Sequence, residues 1–265
     1  KVSMHWAGTK SENLATVWLL YHLTDHLSMT EFRQVVDLLG LGRSARETYE
    51  EYGSRIRDKY GVMVSDEDVR EAAFEESKKE IETDLIFSDQ EEVLWNVQRL
   101  HYKVDPGNYS VDGEMDPALY RLSFPRLQAL NLSMKQEMQR VKEILNQAAR
   151  GTDADLYRLF GGELSRFYVA GGNGNRTMVV YAETRPPLRG AALRPLSSEW
   201  GSDQLAQLSP EEVWLDGLLP SRVVDTLQSL SHRAHERLRS NRKYDAELLY
   251  RLSDFKRVVN LTYVT

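Results

Sequence analysis

The sequence predicts a mainly α-helical protein carrying a small antiparallel β hairpin or three-stranded sheet. Three observations predict it. Apolar residues recur at intervals of three and four through most of the chain, the spacing of one helical face. Serine-led tetrads ending in an acid or amide, the capping-box pattern, precede several of these runs. One stretch, "RFYVAGGNGNRTMVVYAET" at 166–184, places β-branched and aromatic residues on both sides of a Gly/Asn cluster, which is a hairpin signal.

The elements follow in chain order. Residues 12–27 read as a helix with Ser11 as its cap and Leu14, Val17, Trp18 and Tyr21 on one face. "SMTE" at 28–31 opens a second helix, with Phe32, Val35, Val36 and Leu39 inside, and "GLGR" at 40–43 stops it. A third, about 44–59, is mostly polar. Gly61 stands where a left-handed residue ends a helix, and Val62 to Val64 make a short extended link. Ser65 then caps a helix whose dipole Asp66, Glu67 and Asp68 complement. The acids run on: Ser65 to Glu92 holds twelve against Arg70, Lys78 and Lys79, a balance of −9. This pattern reads as a solvated helical face, with Glu75 and Glu76 on it, rather than as a catalytic carboxylate pair.

"SDQE" at 88–91 opens a helix with Val93, Leu94, Val97 and Leu100 inside. "DPGNYSVDGEMD" at 105–116 is a loop of turn residues, and its acids miss the spacing of a calcium-binding EF-hand. "SMKQ" at 133–136 caps a helix whose stripe of Met138, Val141, Leu145 and Ala148 is core or a partner face. In "GGNGN", Asn173 and Gly174 are the turn residues. A phosphate loop there would lead into a helix, whereas "TMVVYAE" reads as a strand. A linker follows from 185. "SPEE" at 209–212 starts a helix, two more lie near 220–239 and 243–257, and the terminal "VVNLTYV" is available to add a strand. The chain thus divides into a helical domain, 1–150, and a smaller α+β region, 151–265.

Composition narrows function. The 265 residues suffice for one large or two ordinary domains, and 41% hydrophobic with 28% charged content marks a folded, water-facing chain. A net charge of −6 argues against broad nucleic-acid binding, which needs surplus Lys and Arg. The absence of cysteine excludes disulfides, zinc–thiolate sites and thiol nucleophiles. "LATVWLLYHL" at 14–23 is too short to span a bilayer. The first residue is Lys1, which fits a segment excised from a longer protein, with any signal or anchor left outside it.

Two histidine pairs have metal-ligand spacing. His22 and His26, four apart beside Asp25, would share a helical face, and His232 and His235 are three apart on a late helix. No HExxH, GxSxG or other nucleophile set is present. Residues His232 to Arg257 carry eight Lys/Arg against four acids, opposite in sign to the acidic segment.

Three segments together carry a resemblance. "KYGVMVSDEDVREAAFEE", "YSVDGEMDPALYRL" and "LQALNLSMKQEMQRVKEIL", within 59–145, resemble the helical N-terminal region of SurA/PpiD-type periplasmic chaperones. Gly61, Val64, Ser65, Asp66, Glu67 and Val69 fit that region's first motif. Asp112, Gly113, Asp116 and Tyr120 fit its second, and Leu132 and Ser133 its third. The resemblance covers about a third of the chain, and no parvulin isomerase pattern accompanies it. It implies an extracytoplasmic, periplasmic protein that binds polypeptide, although the residues alone leave a cytoplasmic setting open.

The leading expectation is a non-enzymatic, chaperone-like module that holds extended polypeptide without a cofactor. Met134, Met138, Val141 and Leu145 would supply an adaptable apolar surface. The alternatives are a metal-binding protein or metal-dependent enzyme using His22 and His26, and a structural subunit whose apolar stripes meet another chain.

Overall fold

A computed structural model describes residues 13–87, 90–102, 121–148, 162–171, 177–186, 192–241 and 245–265. Among these lie eleven helices and one five-stranded sheet of order β3-β1-β2-β4-β5, so the protein is mainly α with a small sheet. Contacts divide the chain into two units, 1–76 with 231–265, and 77–230. The boundaries of these units fall inside helices.

The first unit begins with α1 (Asn13–His22), α2 (Met29–Leu38) and α3 (Tyr49–Tyr60). Both capping boxes here form. The Ser28 hydroxyl accepts from the Glu31 amide while Glu31 reaches back to the Ser28 amide, and Thr48 and Glu51 repeat the arrangement. Gly61 ends α3 at φ +70°, the left-handed conformation that favours glycine. Helix α1 is shorter than its periodicity predicts. The Asp25 amide donates to the His22 carbonyl in a tighter turn, and the Asp25 carboxylate accepts from Lys256 and His22. The Lys256 hydrogen bond outweighs desolvation and holds the Asp25 carboxyl below its usual range.

Ser65 caps α4 (Asp66–Ile86) as predicted, accepting from the Asp68 amide at 3.1 Å while Asp68 accepts from the Ser65 amide at 2.8 Å. Replacing Ser65 by alanine is expected to cost about 1 kcal/mol, read as a lower urea midpoint at unchanged slope. Glu76 departs from the solvated-face reading. Its carboxylate is largely covered and lies between Arg237 and Arg251, so its removal leaves two cations facing an emptied site. The unit closes with the end of α9 (Ser221–Asn241), then α10 (Ala246–Leu249) and α11 (Ser253–Val264). The terminal residues therefore form helix, not a strand, because Phe255 and Val259 recur at four and enter the core with Phe32, Val36, Tyr52 and Ile56.

The second unit holds the rest of α4, α5 (Glu91–Arg99), α6 (Phe124–Ala148), α7 (Leu196–Glu199), α8 (Ser202–Gln207) and the start of α9. The predicted cap at Ser88 lies outside the described residues. Gln90 stands at the N-cap of α5 without capping it, and its side chain accepts from Arg222 instead. Ser133 does not start a helix but lies within α6, whose apolar stripe begins at Leu127, so packing overrides the local capping signal.

The hairpin forms as predicted from β1 (Phe167–Gly171) and β2 (Met178–Tyr181), paired antiparallel; Asn173 and Gly174 fall outside the described residues. The linker contributes a third strand, β3 (Ala192–Pro195), antiparallel to β1. "SPEE" makes only a 3₁₀ turn, Pro210–Glu212, because Val213 leads straight into β4 (Trp214–Leu215). β4 is parallel to β2 and antiparallel to β5 (Leu219–Pro220). The turn between β4 and β5 places Asp216 at φ +54° and Gly217 at φ +70°. No helix among the described residues is long and apolar enough to cross a membrane.

Candidate binding cleft

The second unit contains a cleft of 870 Å³ built from α5, β2, the segment from Trp200 to Glu212, and the β4–β5 hairpin. Val93, Val179, Leu208 and Pro220 are its buried wall, and Met178, Trp200 and Trp214 line it half-exposed. Volume, aromatic lining and a few polar groups at the mouth are the attributes of a ligand site.

One wall is an unfinished sheet edge. β4 pairs with β2 at Val180 and Tyr181 only. The Tyr181 carbonyl faces that side, accepting from the Asp216 amide at 2.8 Å. Peptide groups alternate along a strand, so those of Val179 and Thr177 face the same side. Thr177 to Val179 all line the cleft, beyond the end of the β4 ladder. Among the described residues no strand pairs with this side of Thr177 to Val179, and there an extended chain can add by main-chain hydrogen bonding.

The mouth is acidic. Glu91 and Glu92 are exposed in the first turn of α5, where they also complement the helix dipole. Glu212 lies 3.2 Å from Arg222, which itself donates to Gln90. That pair cancels, and the two glutamates of α5 set the charge. Ser209 donates to Glu211, and among the described residues no histidine lines the cleft.

A buried clamp supports the adjoining hairpin. Asp216 is almost wholly buried, and its carboxylate accepts from Arg121 Nε at 2.7 Å and Arg126 Nη1 at 3.2 Å; Arg121 also donates to the Asp216 carbonyl. This ties the β4–β5 turn to residues just before and within α6.

The residues predicted from sequence lie elsewhere. Met134, Met138 and Val141 are 0% exposed and Leu145 is 9% exposed, so the stripe is packed inside the second unit. His22 ends α1 and His26 lies in the turn beyond it, so no continuing helix carries both on one face. His22 bonds Asp25, and buried His235 lies 3.2 Å from Asp66. Among the described residues, no three His, Cys, Asp or Glu side chains gather as a metal site requires. A second concavity, around Arg43 to Lys59 in the first unit, is organised by Arg55. Its guanidinium is spent on Glu47 and on the carbonyls of Gly40 and Gly42. Sequence reasoning missed Trp200, Trp214 and the end of β2. The legible signal was "WLDGLLP" at 214–220, an Asp-Gly turn between apolar residues.

No family model, curated protein or solved structure matches the chain.

Proposed function

We propose that the protein is a polypeptide-binding module that holds an extended segment in the cleft between α5 and the end of β2. The observation that carries this reading is the strand edge at Thr177 to Val179, left beyond the β4 ladder beside two half-exposed tryptophans. The bound segment continues the sheet through its main chain, while Trp200 and Trp214 cover its apolar side chains. Main-chain bonding makes the binding tolerant of sequence, which suits a chaperone-like role. The function lies in holding chain rather than in chemistry, and it uses the cleft instead of the methionine stripe.

Tryptophan emission tests this. Titrating short, uncharged peptides of alternating valine and glutamine is expected to shift the emission of the folded protein. Replacing Trp200 or Trp214 by alanine should weaken binding about thirty-fold if each is an anchor worth about 2 kcal/mol. Unchanged emission, or full affinity in both variants with circular dichroism intact, overturns the reading.

A further inference from the structure

Resting on that reading, we infer that the segment held by the cleft is cationic: an extended peptide whose apolar residues alternate with lysine or arginine. The cleft is graded from apolar wall to charged mouth. Val93, Val179 and Leu208 are buried in it, whereas Glu91, Glu92 and Glu212 are exposed at its opening. Among the described residues, Arg222 is the one cation lining it, and it is taken up by Glu212 and Gln90. Among the described residues that line it, Glu91 and Glu92 therefore leave the mouth two negative charges in excess.

The geometry of an extended chain matches this division. Successive side chains point to opposite faces, so a segment with apolar residues against the wall turns its intervening residues toward the mouth. A carboxylate there would meet Glu91 and Glu92 with like charge, whereas a lysine or arginine would meet opposite charge. Trp95 and Arg99 follow Glu91 at intervals of four on one face, with the Arg99 guanidinium 4.2 Å above the Trp95 ring. That stacked cation stands in the last turn of α5, so the helix carries its acids in the first turn and a cation in the last.

The test compares three peptides that share alternating valines and differ in carrying lysine, glutamine or glutamate between them. The lysine peptide is expected to bind about five-fold tighter than the glutamine peptide, as two exposed charge pairs allow, and the glutamate peptide weakest. Added salt should erase the difference, since exposed pairs are screened. The double variant Glu91→Gln with Glu92→Gln should bind the lysine and glutamine peptides with equal affinity. Glu91→Asp with Glu92→Asp should retain the preference. Equal binding of all three peptides, or a lysine preference that survives the double glutamine variant, overturns the inference and leaves the polypeptide reading standing. Binding of none of the three overturns both.

Discussion

Replacing Asp216 by alanine is expected to destabilise the protein by about 3–5 kcal/mol, the cost of stranding the partners of a buried ion pair. Two arginines converge on this carboxylate, and Arg126 is nearly as buried as Asp216 itself. Once the carboxylate is gone, both guanidiniums lose the buried anion that offsets their desolvation, and the exposed Glu183, 3.9 Å from Arg126, compensates only in part. Set against a typical total of about 5–15 kcal/mol, the loss lowers the urea midpoint sharply.

The same residue holds a left-handed backbone conformation, which alanine resists and glycine accepts. Asp216→Gly therefore separates the two causes, since it relieves the backbone while still removing the charge. If the clamp is the cause, Asp216→Gly destabilises nearly as much as Asp216→Ala. If Asp216→Gly is as stable as the parent, the arginine clamp contributes nothing and the interpretation is wrong. Because β4 and β5 line the cleft, the Asp216 variants should also lose peptide affinity in proportion to their unfolding, and not before it.

How much of this was legible in the sequence depends on the range of the interactions. Caps at Ser28 and Ser65, the stop at Gly61 and the hairpin of β1 and β2 rest on contacts a few residues apart, and periodicity and turn chemistry expose them. The failures share the opposite character. Ser133 and "SPEE" carry valid local helix-start signals. One lies inside a helix whose buried stripe runs from Leu127 to Leu145, and the other is cut short by a strand that pairs with β2, more than thirty residues back. The clamp joins residues 90 and 95 positions apart, and the cleft combines side chains from residues 90 to 222, so no local pattern announces either. The methionine stripe shows a further limit. Helical spacing identifies an apolar face but not whether another element already covers it.

That face yields the second large effect. Met134→Ala and Met138→Ala are each expected to cost about 2–5 kcal/mol, the range for emptying a fully buried methionine site. Leu132, two positions from Met134 and 60% exposed, should tolerate alanine within about 0.5 kcal/mol. Glutamate at Met134 or Met138 is more severe, because it places an unpartnered carboxylate in an apolar interior. Loss of peptide binding in those glutamate variants would thus report unfolding, not a damaged binding surface. The alanine variants discriminate. Measured in buffer where each remains folded, Met134→Ala and Met138→Ala should bind the alternating valine peptides with parental affinity while melting earlier. Should either variant keep its stability yet lose the peptide, the stripe must open in solution to hold polypeptide, and the cleft would not be the site.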